Sequence, residues 1–418
     1  MHPIARRKFL KKSAAAAAGV SALSLSGPAM TADTDTPTDM RSFLKSILYT
    51  KEEIDLWLAG KAFPFAKYHP EFGWLLNSDR YTDGIDGSEC VYTYVGEDGE
   101  RIMMNYGDKP CRINTYGNSF TQCHQVSDGE TWQEVLAAHL QEPVRNFGIG
   151  GWSVYQAYLR MLKEEQRTPA EYIIFNIYDD DHRRNLDSWR NIRRRKHPRF
   201  IEPTLPYVTV DLQSGQITEH ANPCPTRESV YKLCDLEQTY ELFKDDFVAK
   251  IMIAHLNSKQ PNPNQTYKEI TELATTHGID TAIENNATLA RVADELHRKA
   301  ALTASMRIVE KIEQFGRENN KKILFVLSFP AGSVAKTIEE GERWDQPFVD
   351  FMKSKNLPMV DLMEAHVREF NRYRLSPKEY LAKYYIGHYN PMGNLFCAFA
   401  LKDQLTEMLQ PKPVPYRN

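Results

Sequence analysis

Charge imbalance is what this chain has least of. Its 418 residues carry 52 Lys and Arg against 55 Asp and Glu, a net charge of −3. A nucleic-acid binder needs a concentrated basic face, and the overall balance offers none. Cysteine is scarce as well, six in all, and no arrangement of them has zinc-ligand spacing. Cys111 with Cys123, or Cys224 with Cys234, are close enough in sequence to pair. Spacing alone leaves disulfide and free thiol equally open. Long apolar runs are also missing. The mild one from Ala14 to Leu25 is too short and too rich in Ala and Ser to span a bilayer. No internal repeat is apparent. What remains is an ordinary globular composition, long enough for one large or two modest domains with ample core.

The first residues stand apart. Arg6-Arg7-Lys8-Phe9-Leu10-Lys11-Lys12 precedes the apolar run, and Gly27-Pro28-Ala29 follows it. A charged segment, an apolar segment and a small-residue cleavage site make an export signal, and the paired arginines resemble the twin-arginine type. Residues 1–32 are therefore expected to be a signal peptide, with 33–40 a linker rich in Thr, Asp and Pro. The expected location is the periplasm, and the expected partner is the twin-arginine translocation machinery.

Residues 41–60 place Phe43, Ile47, Leu48, Ile54 and Leu58 on one broad apolar stripe, which predicts a helix. Residues 68–110 read as turns and short strands, so 41–110 is a helical and β-rich lead-in. From 111 to 418 strands alternate with helices. Strands are expected at Ile113 to Tyr116, Val144 to Phe147, Tyr172 to Ile177, Ile323 to Phe329 and Met359 to Leu362. This alternation predicts a parallel sheet covered on both faces. Ser127 to Glu130 is a capping box, and Asn390 caps a last helix with Pro391 at its first position. Residues from about 182 to 320 exceed any loop between elements and predict an insertion, mainly helical with one hairpin near Ser214-Gly215, capping the site.

Chemistry gathers at the expected strand ends. Tyr116-Gly117-Asn118-Ser119-Phe120-Thr121 puts a serine on a tight turn after the first strand. Gly387-His388-Tyr389-Asn390-Pro391 puts a histidine just before the last helix. A serine hydroxyl becomes nucleophilic when a base takes its proton, and histidine is the usual base near neutral pH. Asn146-Phe147-Gly148-Ile149-Gly150-Gly151 is a glycine junction whose backbone N–H groups can approach a substrate. The third strand runs into Asp179-Asp180-Asp181-His182. In a parallel sheet these ends share the edge where ligands bind.

The order and wording of these segments resemble the SGNH/GDSL hydrolase family. Gly117-Asn118-Ser119-Phe120-Thr121 is similar to its first block, Asn146 to Gly151 to its second, and His388 to Gly393 to its last. The resemblance covers roughly residues 68–180 and 320–408. It implies a three-layer α/β/α, flavodoxin-like fold and a serine esterase without cofactor or metal. Ser119 would be the nucleophile, His388 the base, and the Gly151 N–H an oxyanion donor beside that of Ser119. With export, the resemblance implies an O-acyl substrate on carbohydrate, acetyl first; acyl transfer to a glycan and non-catalytic glycan binding are the alternatives.

Two positions depart from the family. Where it has an oxyanion Asn, this chain has an aspartate, Asp180 or Asp179. Where it has an acid before the histidine, this chain has Tyr385 and Ile386. A backbone carbonyl or a distant carboxylate, from Asp179, Asp180, Asp181 or Asp361, is then expected to orient His388. His388 also precedes a helix N-terminus, which favours its neutral form. The basic run of Arg190, Arg193, Arg194, Arg195, Lys196 and Arg199 reads as a solvated face, or else as a contact for an acidic polysaccharide. Trp152, Tyr155 and Tyr158 read as core at helical spacing, or else as a sugar platform.

Overall fold

The computed structural model describes residues 39–417, apart from 63–64, 97–98, 197–200, 260–265 and 280–284. The segments expected to be a signal peptide and most of a linker, and Arg199, lie outside the described residues.

Five parallel strands carry the fold: β1 (Ile113–Tyr116), β2 (Arg145–Asn146), β3 (Tyr172–Tyr178), β4 (Lys322–Ser328) and β5 (Met359–Asp361). Their order across the sheet is β2-β1-β3-β4-β5, with β3 in register beside both β1 and β4. This is the flavodoxin-like order, and its switch point lies between β1 and β3. The lead-in extends the sheet: Glu100–Arg101 pairs antiparallel with β2, and Tyr94–Val95 completes the edge.

β1 is buried throughout, and β3 and β4 are buried along nearly their whole length, as strands covered on both faces must be. The helices that matter here are α1 (Ser119–Gln122), α2 (Trp132–Leu140), α3 (Val154–Arg167), α4 (Asp181–Arg184), α5 (Arg190–Arg194), α6 (Asn286–Glu318) and α7 (Pro391–Met408). α3 and α6 pack together and onto β1 and β4, while α2 packs on α7, which reaches β5. The result is the three-layer α/β/α architecture with a mainly helical insertion. Among the described residues, no helix is long and apolar enough to cross a membrane.

Local differences from expectation have local causes. The stripe over 41–60 breaks into Met40–Lys45 and Lys51–Leu58, because Thr50 starts the second helix with its own capping box to Glu53. The box at Ser127 to Glu130 closes a short 3₁₀ turn, and Thr131 caps α2 instead. Asn390 does cap α7, accepting from the Gly393 N–H, with Pro391 in the first turn. All six cysteines are free thiols, so neither suggested disulfide forms.

Candidate active site

Ser119 follows β1 at the switch point. Gly117 has φ +149°, and a Cβ there would fall 2.3 Å from Thr121 Oγ1 and 2.7 Å from the Asn176 carbonyl. Only glycine fits so close an approach. Asn118 then locks the turn. Its side chain accepts from the Phe120 N–H at 2.8 Å and donates to Asp181 Oδ1 at 2.9 Å. Ser119 is left 8% exposed at the start of α1.

His388 meets it across the edge. Ser119 Oγ lies 2.8 Å from His388 Nε2. Gln125 Oε1 accepts the His388 backbone N–H at 2.7 Å and lies 3.3 Å from His388 Nδ1. Gln125 Nε2 donates to the Asp83 carbonyl at 3.0 Å, which fixes the amide with its oxygen toward the imidazole. A proton on Nδ1 leaves the Nε2 lone pair aimed at the serine hydroxyl. Burial holds the His388 imidazole well below the ordinary histidine range, helped by His124 and by the Arg184 charge. The neutral state expected from the helix end is present, but burial is its leading cause.

The expected carboxylate is therefore replaced by a neutral amide. None of the four candidate aspartates bonds to His388. Asp361 caps its own helix at the Met363 N–H (2.9 Å) and takes Arg343 Nη1 at 2.6 Å. Asp179 accepts from Ser333 Oγ at 2.6 Å and from the Trp344 indole. Asp180 takes Arg184 Nε at 2.9 Å and Arg193 Nη1 at 2.8 Å. Burial would raise the Asp180 carboxyl, but Arg193 and Arg184 outweigh it and hold it well below the usual range. Asp181 supports Asn118, and His182 is a buried histidine 2.7 Å from Ser305 Oγ. Asp180 and Asp181 share Arg184, which reaches Asp181 Oδ1 at 2.9 Å, while Asp179 and His182 both meet Trp344.

Gln125 belongs to a loop that the sequence does not advertise. Cys123 (φ +62°) and Gln125 (φ +72°) are left-handed without being glycine. Such conformations persist only where surroundings enforce them. Arg101, 2% exposed, does so: it donates to the carbonyls of Gln122 (2.6 Å), Cys123 (2.9 Å) and Val126 (2.6 Å), and its Nε reaches Asp128 at 2.8 Å. Beside Gln125, His124 Nε2 lies 3.2 Å from Asp83 Oδ2, and its ring meets that of His388 edge to face at 5.0 Å. Gln125→Ala is expected to lower kcat roughly tenfold or more by freeing the imidazole. Gln125→Glu, which restores a carboxylate, is expected to retain activity once the new acid ionises. Steady-state kinetics on an aryl acetate check both.

The turn that carries His388 rests on a second buried histidine. His366 Nε2 lies 3.0 Å from Tyr389 Oη and 3.1 Å from Tyr385 Oη, and its Nδ1 lies 3.0 Å from Tyr380 Oη. Burial drives the His366 imidazole down to about 3 and that of His182 to about 4. Unfolded, both would take protons near pH ~6.5. The unfolded chain therefore binds more protons below that point, and native stability falls as pH drops from ~6.5 toward the folded values. Asp181 and Asp246, raised by burial to about 7 and about 6, act with the opposite sign, so the check is the difference in melting temperature between wild type and His366→Gln, expected to shrink across this window. His366→Gln is expected to be weaker at pH 7 and to lose less on acidification.

Gly150 borders the serine, and Gly151 follows it against Trp74 and Arg190. A Cβ on Gly150 would stand 3.8 Å from Ser119 Cβ. Among the described residues, neither the Ser119 N–H nor the Gly151 N–H has a hydrogen-bond acceptor. Phe120 stacks on Tyr178 at 4.6 Å and leans on His388 at 5.1 Å, making an apolar wall. Trp152, Tyr155 and Tyr158 are buried and belong to the core. Within the described part of the basic run, Arg193 pairs with Asp180 and Asp187, the half-exposed Arg194 with Glu202, and Lys196 with Glu53.

Fold and geometry together define a class: an α/β chain with a serine–histidine pair at the switch point of a parallel sheet. No family model and no curated protein sequence matches the chain. Ten chains of solved structures are similar to it, among them these two. One is a lipolytic protein of the G-D-S-L family from Desulfitobacterium hafniense, 11% identical, covering 69% of this chain and 98% of its own, with a TM-score of 0.33. The other is an acetyl xylan esterase, 12% identical, covering 71% and 99%, with a TM-score of 0.32.

Proposed function

We propose that this protein is an exported serine esterase that hydrolyses O-acyl esters, acetyl first among them, on a carbohydrate. The observation that carries the reading is the 2.8 Å contact of Ser119 Oγ with His388 Nε2, with Gln125 behind the ring. Ser119 Oγ attacks the acyl carbon while its proton passes to His388 Nε2. The N–H groups of Ser119 and Gly151 receive the oxyanion. The C–O bond to the alcohol breaks, and the leaving oxygen takes the proton from His388. Water then attacks the acyl-serine, giving its proton to the same nitrogen; the acyl–Oγ bond breaks, Ser119 Oγ takes that proton back, and the acid leaves. A neutral amide orients histidine in Cys-His-Asn proteases, so a carboxylate is not obligatory. Asp180, held by two arginines, acts in this reading as a structural anchor for α4 and α5.

The carbohydrate part of the proposal rests on the family resemblance, and export rests on the N-terminal segment. One observation favours a different class: with no carboxylate on His388, imidazolium gains less stabilisation, as in a glycan-binding protein that has lost turnover. A fluorophosphonate probe with peptide mapping separates the two. An adduct on Ser119, together with acetate release from acetylated oligosaccharides, supports the esterase. Absence of both, where a control esterase labels fully, with glycan binding unchanged in Ser119→Ala, overturns it.

A further inference from the structure

Resting on the esterase reading, we propose that Trp74 and Arg190 are positioning residues that set the oxyanion loop by holding two successive carbonyls. Trp74 comes from the lead-in hairpin and Arg190 from α5 in the insertion, so neither belongs to the five-stranded core.

The argument starts from peptide geometry. In a trans peptide the C=O and the following N–H point in opposite directions. Trp74 Nε1 donates to the Gly150 carbonyl at 3.1 Å. The Gly151 N–H of that same peptide must then point away from Trp74. The loop has Trp74 on one side, where a Cβ on Gly151 would fall 3.0 Å from the indole ring. Ser119 borders the same loop, 3.8 Å from where a Gly150 Cβ would stand. The indole bond thus turns the Gly151 N–H away from Trp74, within the loop that Ser119 borders. Gly151 at φ +83° makes the turn possible.

The next peptide is held from the insertion. Arg190 Nη2 donates to the Gly151 carbonyl. Its guanidinium sits 5.7 Å from the Trp74 ring, so the two clamps touch one another. Arg190 is fully buried. Its Nε is 3.6 Å from Asp187 Oδ2, and its Nη1 has no hydrogen-bond partner among the described residues. A buried cation with so few acceptors is an unfavourable way to fill a core. Packing alone would be served better by an apolar side chain. A donor that must reach one particular carbonyl accounts for the arginine. Preorganised donors that need no rearrangement during reaction are the most effective form of oxyanion stabilisation.

The experiment compares the wild type, Trp74→Phe and Arg190→Met on an aryl acetate and with an alkylboronic acid, which forms a tetrahedral adduct on an activated serine. Trp74→Phe keeps an aromatic ring and removes only the donor. It is expected to lower kcat about tenfold, with KM within about twofold and boronate affinity reduced in step. Arg190→Met is expected to do the same where it folds; where it does not, Trp74→Phe decides alone. Unchanged kcat and boronate affinity in Trp74→Phe, with only a lower melting temperature, would make the indole a packing residue and overturn the proposal while leaving the serine reading intact. A wild type that neither turns over nor binds boronate removes the serine reading, and this proposal with it.

Discussion

Ser119→Ala is expected to lower kcat/KM on an acyl ester by on the order of 10³-fold or more and to abolish fluorophosphonate labelling. The lost atom is the only nucleophile on the path described, and no neighbouring hydroxyl stands 2.8 Å from His388 Nε2. His388→Ala is expected to lose activity to a similar degree, because the hydroxyl proton then has no acceptor. The informative comparison is the double variant. Residues that act as one unit are strongly non-additive, so the double variant should be no worse than the poorer single one. Additive losses would mean that the two contribute separately and that the contact in the structure is not the working pair. KM should change little in all three, since neither side chain supplies much ground-state binding.

Arg101→Met is expected to cost more stability than Gln125→Ala, Trp74→Phe or His366→Gln. It removes every guanidinium donor from one fully enclosed position and leaves Asp128 without its cation at 2.8 Å. Breaking a buried ion pair from one side costs about 3–5 kcal/mol. Urea unfolding followed by tryptophan fluorescence reads this as a lower midpoint with an unchanged slope. The loss also reaches the chemistry. The carbonyls of Gln122, Cys123 and Val126 lose their common donor, so the left-handed conformations at Cys123 and Gln125 lose what enforces them. Gln125 then no longer meets His388 in one geometry. Activity should fall even at temperatures where the variant remains folded. Loss of stability without loss of specific activity would show that the loop keeps its shape unaided.

The parts of this site that were legible in the sequence are those defined by short-range constraints. Gly117 and Asn118 shape a turn within four residues, and Asn390-Pro391 starts a helix by local hydrogen bonding. Ser119 and His388 could therefore be singled out, and the structure brings them together. β3 and β4 were legible because burial on both faces leaves apolar runs, whereas β1 buries Asn114 and Thr115 and β2 is Arg145–Asn146. Gln125 was not legible. Its position depends on Arg101, more than twenty residues upstream, and its amide orientation depends on Asp83. Asp180 looked like site chemistry because sequence shows a cluster of acids without showing their partners. Arg184 and Arg193, on α4 and α5, claim it. The basic run hid the same fact from the other side. Trp74 lay within residues 68–110, read only as turns and short strands, since nothing local says that an indole will meet a carbonyl 76 residues away.

The lead-in supplies Trp74, Asp83 and Arg101, three side chains or carbonyls that shape the centre without belonging to the parallel strands. This has a consequence for how such a chain can be inherited or rebuilt. A crossover placed at Cys111 would pass on the nucleophile, the base and the whole α/β scaffold. It would leave behind the donors that hold the surrounding loops in shape. Any recombinant meant to exchange specificity must take its junction upstream of Trp74, and a trimmed version beginning at the first core strand should be folded poorly and chemically silent.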